Sequence, residues 1–440
     1  MFRKISGFIE KFLKSGSGKV LVINGAKKIG KTFIIRETGR KLFKNYIEIN
    51  LLEDSLRNRL FDDTHTVDDF YLQLSTLAGD RMHGKKTTLI FLDEIQVYPH
   101  LFALLKFLKN DDRFTYIASS SLSEKTLGQV SSLQLDGLEI CQMYPMDFEE
   151  FLIANSFQQS TINSIRKKFQ SFEELSPQVH EKMLDMFKKY LLVGGLPDAV
   201  KAFVGEMNVM DVRKIQDEIH KLYCTDAAKF DIEKNLKTKR IYEMIPSNLK
   251  NKKKRIVVQA IENKKGKRFS DYQKEFDYLL NSGTALEVQA TSKPSFPLNE
   301  NSGKKILKLY LNDVGILTNI LYKNDIRAIL DDKKSIELGS VYESAVAQEL
   351  RAHGFNLFYY DDRLKGEVDF LIDDYESESV IPFRIKSGKN YSVHSALTNF
   401  IVNTDYEIKK AFVFSNDSSV VVKEGICYMP IYYCMFFEKQ

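Results

Sequence analysis

At 440 residues the chain is longer than one hydrophobic core normally organises, and ordinary domain sizes point to two to four domains. Its 43% hydrophobic and 28% charged content is that of a folded globular protein, which excludes a disordered or fibrous chain. The net charge of +5 is small for this length and names no partner by itself.

The chain opens with an amphipathic helix: Phe2, Ile5, Ile9, Phe12 and Leu13 recur at helical spacing, broken by charges. That interruption is unlike a secretory leader, and no later stretch is apolar enough to span a bilayer, so the expectation is a cytoplasmic protein with no membrane partner. Cys141, Cys224, Cys427 and Cys434 are scattered, with no CxxC pair, and read as reduced and structural.

After the SGSG loop at 15–18, Lys19–Ile23 is a short β-branched run fit for a buried strand. Residues 24–32 then read NGAKKIGKT, and helical periodicity resumes at Phe33. Gly25-Ala26-Lys27-Lys28-Ile29-Gly30-Lys31-Thr32 therefore stands between a strand and a helix with the spacing GxxxxGK[ST]. Its glycines let backbone N–H groups turn inward around phosphate oxygens, Lys31 supplies a point charge, and Thr32 offers a hydroxyl to Mg2+. The cofactors implied are ATP and Mg2+.

A nucleotide hydrolase also needs an apolar strand ending in an acidic residue, and Leu89–Leu92 followed by Asp93 and Glu94 supplies it. Asp93 is expected to hold Mg2+ and Glu94 to polarise the attacking water, which favours hydrolysis over simple binding. A further strand at Phe114–Ala118 runs into Ser119, Ser120 and Ser121; Ser119 is the hydroxyl chosen to touch the water or γ-phosphate. No arginine lies between Arg113 and Arg166, so no arginine finger is assigned. Together with Tyr46–Ile49, these runs alternate with helical stretches, as in an α/β parallel sheet with crossover helices.

From Asp147 to Tyr223 the pattern is mostly helical, and VGGLPDAV breaks it as a hinge between two helices would. Lys234–Arg268 then carries thirteen Lys/Arg against two Glu, including the run Lys252, Lys253, Lys254, Arg255. This is either a solvated face or a surface for the phosphates of DNA or RNA. TSKPSFPLNENSG at 291–303 reads as a linker or wing-like loop. Beyond it a helix and strand-like segments at Leu357–Tyr360, Val368–Ile372, Ile381–Ile385 and Ala411–Phe414 indicate another domain. Glu343, Asp369 and Lys386 are candidates for a metal-dependent nuclease site, but Arg384 stands where that site wants a second carboxylate, and a cation there repels Mg2+.

Over nearly its whole length the chain resembles a prokaryotic family of AAA-type P-loop ATPases whose C-terminal, DUF4143-type domain is related to PD-(D/E)xK nucleases. The resemblance rests on GAKKIGKT and IFLDEIQ, then IASSSLS, YPMDFEEFL, YLLVGGLPDAV, TDAAKF, IPSNLKNKKKRI, KLYLNDVGIL, GSVYESAVAQEL, GEVDFLID and PFRIKSG, in the family's order. It implies a P-loop domain over 1–150, a helical lid over 151–225, a basic winged-helix-like segment over 226–305 and a nuclease-like α/β domain over 306–440. It carries the roles above onto Lys31, Thr32, Asp93, Glu94 and Ser119. Two positions depart from the family pattern: Arg384 replaces a glutamate, and Ser120 replaces a glycine. The expected function is an Mg-dependent ATPase acting as a nucleotide-driven conformational switch. Two alternatives stand beside it: a nucleic-acid-binding ATPase using 234–268 with a clamping or weakly cleaving last domain, and a nucleotide-stabilised scaffold whose last domain docks a protein.

Overall fold

The computed structural model describes all residues except 83, 85–86, 122–136, 207, 232–235, 252–253, 324, 332–337, 363–365, 388–394, 403–405, 407 and 440. The chain forms two compact units, Met1–Tyr144 with Asp277–Thr284, and Pro145–Phe276 with Ala285–Gln440.

The first unit is built on five parallel strands: β1 (Val20–Asn24), β2 (Asn45–Asn50), β3 (Thr88–Asp93), β4 (Thr115–Ser120) and β5 (Leu138–Gln142), in the order β2-β3-β4-β1-β5. Every residue of β1 and β3 is buried, the continuous apolar pattern of strands covered on both faces. Helices Lys31–Leu42, Val67–Ala78 and Pro99–Asp111 intervene between strands, and Phe70, Leu74, Leu101, Leu105 and Leu108 pack with Val22, Ile90 and Leu92 in one core. Because all strands run the same way, the ends of β1, β3 and β4 lie at one edge, with Ile23 beside Ser119 and Asn24 beside Ser120. Four of these strands match the expected segments closely. β5 is not evident from LEICQ, which buries only Leu138 and lies at the sheet edge.

The second unit begins with five helices, Phe148–Ala154, Gln159–Gln170, Pro177–Val193, Pro197–Glu206 and Val209–Phe230. VGGLPDAV does turn the chain between two of them, but as a wedged corner rather than a free hinge. The Gly195 N–H donates to Asp313 Oδ2 at 2.6 Å and its carbonyl accepts from Met146 N at 2.7 Å. A Cβ on Gly195 would stand 2.0 Å from the Met146 carbonyl oxygen. Arg213 and Gln216 close the same corner by donating to the Leu192 carbonyl oxygen at 3.3 and 3.1 Å.

Helices Lys237–Lys250 and Val258–Glu262 follow, and Gln273–Asn281 crosses from this unit into the first. β6 (Ala285–Thr291) and β7 (Ser302–Leu311) then form a hairpin, so the segment at 291–303, expected as a linker or wing-like loop, is its connection and the 305/306 boundary falls within β7. β8 (Phe358–Asp362), β9 (Gly366–Asp374), β10 (Ser379–Ile385), β11 (Ala411–Ser415), β12 (Val421–Lys423) and β13 (Ile426–Pro430) complete an eight-stranded mixed sheet. Its order is β12-β13-β11-β10-β9-β8-β6-β7, with β6 beside β8 in parallel. The helix Gly339–Ala352 is buried at every position from Ser340 to Leu350, which places its polar side chains, Glu343 among them, inside the protein. All four cysteines are free thiols, and Cys224, Cys427 and Cys434 are buried. Among the described residues no helix is long and apolar enough to cross a membrane.

Candidate functional site

Gly25 leaves β1 with φ 152°, and a Cβ there would stand 2.3 Å from the Met143 carbonyl oxygen, so the close approach requires glycine. Gly30, at φ 96°, turns the loop into the helix that begins at Lys31. The loop 25–30 thus ends on a helix N-terminus, where N–H groups without intrahelical partners favour an anion. Lys31 folds back over it: Nζ donates to the carbonyls of Gly25 and Ala26, both at 2.9 Å, and to Ser121 Oγ at 3.2 Å. The ammonium is almost wholly buried, and burial pulls its pKa below the usual lysine range against the attraction of Glu94 and Asp93.

Thr32 Oγ1 lies 2.9 Å from Asp93 Oδ2 and 3.1 Å from Oδ1. Ser119 Oγ donates to Asp93 Oδ1 and accepts the Glu94 N–H at 3.0 Å. Asp93 is 4% exposed, and burial pushes its carboxyl above the usual range although both hydroxyls favour the ionised form. A buried carboxylate hydrogen-bonded by two hydroxyls, with a glycine-rich loop that ends on a helix N-terminus beside it, fits Mg2+, which takes oxygen ligands and keeps waters of its own. Glu94 adopts a left-handed backbone, φ 59°, and its carboxylate lies 3.9 Å from Lys31 Nζ. The sequence-expected residues Gly25, Gly30, Lys31, Thr32, Asp93, Glu94 and Ser119 are therefore brought to one place. Ala26 and Ile29 are buried, Lys28 takes a left-handed backbone (φ 66°), and Lys27 lies near enough to repel the Lys31 ammonium.

Three contributors were not read from the sequence. Gln96 donates from Nε2 to Glu94 Oε2 at 2.6 Å and accepts from Ser121 N at 3.1 Å. Arg3 reaches the loop from the N-terminal segment, donating to the Ile29 carbonyl at 2.8 Å and the Tyr144 carbonyl at 2.6 Å. Gly283, more than 250 residues along the chain, would bring a Cβ within 3.0 Å of Ala26 N. Gln96 stood within the IFLDEIQ segment; Arg3 and Gly283 act across long separations that no local pattern marks.

The second candidate cluster lies in the other unit and has a different character. Asp369 Oδ1 accepts from Arg384 Nη1 at 2.7 Å, and Oδ2 accepts from Ile385 N at 2.7 Å. Glu343 is paired with Lys254 and accepts from the Tyr310 hydroxyl at 3.3 Å. Glu367 accepts from the fully buried Lys308 at 2.7 Å. Burial and the Asp369 charge raise the Glu343 carboxyl; burial and Arg384 lower the Lys386 ammonium. Glu343, Asp369 and the lysine expected from sequence do come near one another, but protein cations already take the carboxylates. Among the described residues no cluster of three or more His, Cys, Asp or Glu is placed to hold a metal. The basic run contributes to this neutralisation, Lys254 through Glu343 and Arg255 through Asp361. Lys252, Lys253 and Lys234 lie outside the described residues.

Residues 17–152 match a family model described as AAA domain, residues 184–327 one described as domain of unknown function DUF8612, and residues 338–434 domain of unknown function DUF4143. No curated protein matches. Among solved structures, the Walker-type ATPase PABY2304 of Pyrococcus abyssi aligns over 72% of this chain and 94% of its own, at 10% identity and a TM-score of 0.42. The Aeropyrum pernix ORC2 protein, solved as ADPNP-ADP complexes, aligns over 76% and 96%, at 12% identity and 0.38. Caenorhabditis elegans PCH-2 aligns over 35% and 45%, at 14% identity and 0.25. The chain thus carries an AAA domain followed by DUF8612 and DUF4143 domains.

Proposed function

We propose that this protein hydrolyses Mg-ATP at the edge of the five-stranded sheet and uses the cycle as a conformational switch. The observation that carries the reading is the pairing of Thr32 Oγ1 with the Asp93 carboxylate at 2.9 Å, beside Lys31 and Glu94. Gly25–Thr32 would hold the phosphates, and Thr32 and Asp93 would hold Mg2+. The metal supplies charge neutralisation for the transferring phosphoryl group. Glu94 orients water and takes its proton, while Ser119 holds both Asp93 and the Glu94 backbone in place.

The switch has support in the path of the chain. The segment Asp277–Thr284 returns to the P-loop unit, sets Gly283 against Ala26 and then continues directly into β6. A change at the phosphate loop therefore has a covalent route to the mixed sheet. The helices Lys237–Lys250, Val258–Glu262 and Gln273–Asn281 followed by a hairpin have the element order of a winged helix, although β6 also joins the eight-stranded sheet. We read the last module as nuclease-like in descent and non-cleaving in activity, because Arg384 and Lys254 hold the two carboxylates that a metal would need.

Steady-state turnover of Mg-ATP by the full chain tests this. Lys31→Ala should weaken nucleotide binding, and Glu94→Gln should bind ATP normally while turnover falls by about 100-fold or more. Unchanged turnover in Glu94→Gln would remove the hydrolytic assignment.

A further inference from the structure

The catalytic glutamate is held by a side chain that no part of the reading above has used. Gln96 sits two residues beyond Glu94 on a short 3₁₀ turn, half-buried, with its amide between the glutamate and the loop after β4. The amide can face only one way. The Ser121 backbone N–H is a donor and nothing else, and it lies 3.1 Å from one end of the amide, so that end must be the oxygen. Ser120 Oγ donates to the same oxygen at 3.2 Å. The NH2 end is then aimed at Glu94 Oε2, 2.6 Å away, a short hydrogen bond.

Ser121 also touches the other side of the site, since its hydroxyl accepts from Lys31 Nζ at 3.2 Å. A continuous path therefore runs from the phosphate-binding lysine through Ser121 and Gln96 to the Glu94 carboxylate. Glu94 needs such support: its backbone is in the left-handed region, and Ser119 fixes its N–H but not its side chain.

We propose that Gln96 is the positioning residue for Glu94, its amide anchored on the β4 loop so that the carboxylate is held where the attacking water must lose its proton. This rests on the assignment of Glu94 as the base. Gln96 touches neither nucleotide nor water in this role and acts only through Glu94.

Two substitutions separate positioning from simple loop anchoring. Gln96→Met keeps the side-chain length and loses all three hydrogen bonds. Gln96→Glu keeps an acceptor for Ser121 N–H but sets an oxygen against Glu94 Oε2. Three quantities are read on the full chain: kcat with Mg-ATP, KM, and the Kd for ATP in EDTA, which reports an intact site without turnover. Both variants should lose about 10- to 100-fold in kcat, Gln96→Glu at least as much as Gln96→Met, with KM and Kd within about threefold of wild type. If Gln96→Glu keeps wild-type kcat while Gln96→Met loses it, Gln96 serves only the loop and the proposal is overturned. Wild-type kcat in both variants alongside an inactive Glu94→Gln would overturn the proposal alone. A Glu94→Gln protein that still turns over ATP would overturn it together with the assignment it rests on.

Discussion

The two acidic clusters of this molecule start from the same material and end as opposites. At the edge of the parallel sheet Asp93 is met by the hydroxyls of Thr32 and Ser119, whereas in the mixed sheet Asp369 is met by Arg384 and Glu343 by Lys254. A hydroxyl satisfies a carboxylate oxygen without cancelling its charge and can itself ligate a cation, so the first cluster keeps the charge that the proposed Mg2+ would need. A guanidinium or ammonium neutralises the carboxylate and is tethered to the chain, so no diffusing cation competes on equal terms. What separates a metal site from a structural ion pair here is the neighbour of the carboxylate, not the carboxylate.

The largest effect should come from breaking the neutralised cluster. Arg384→Met leaves the buried Asp369 carboxylate with the Ile385 N–H and the more distant charges of Lys254 and Lys386, and we expect unfolding in urea to show a loss of about 3 to 5 kcal/mol. Adding Asp369→Asn, which keeps an acceptor for that N–H and removes the charge, should recover most of the loss. A double variant no more stable than Arg384→Met alone would show that the pair acts through packing.

The P-loop site should respond to metal instead. Asp93→Asn should reduce Mg-ATP turnover by about 100- to 1000-fold, on the order of 3 to 4 kcal/mol of transition-state stabilisation. ATP should still raise the melting temperature of this variant in EDTA, while the further rise that Mg2+ gives the wild type should vanish. An Mg2+-dependent rise that survives Asp93→Asn would move the metal site elsewhere.

How much of each cluster the sequence disclosed follows from the range of the interactions. The P-loop and the Leu89–Glu94 strand are local patterns: spacing alone puts glycine at the tight turn, and an apolar run with an acidic end needs no partner to be recognised. Arg384 could likewise be seen as a cation on the wrong position of a strand. That Lys254 would be its counterpart for Glu343 could not, because 89 residues separate the two and a basic run looks the same solvated or buried. The same limit explains the hinge expected at VGGLPDAV. Two glycines read as freedom until Asp313 and Met146 are brought against them by packing. The connection of the β6/β7 hairpin reads as a linker or wing-like loop because Pro294, Pro297 and Asn299 dominate it, whereas the pairing of β6 with β8 is set by tertiary contacts.

Asp313 supplies the third case, a buried carboxylate met only by backbone amides, and it ranks last in expected effect. It accepts from Gly195 N at 2.6 Å and Ile316 N at 3.0 Å, yet burial outweighs these bonds and pushes its pKa up to about 6. An aspartate in the unfolded chain titrates near 3.8, so between that value and about 6 the folded state binds the extra proton. Stability from this group is then fully present below the unfolded value and is lost as pH rises through the folded one. Relative to Asp313→Asn, the wild type should lose up to about 3 kcal/mol of unfolding free energy between about pH 4 and pH 7. Urea titrations of both proteins across that range measure the difference directly. A flat difference would mean that amide dipoles hold a buried carboxylate as firmly as Arg384 holds Asp369, and the ranking of hydroxyl, amide and cation as neighbours would have to be abandoned.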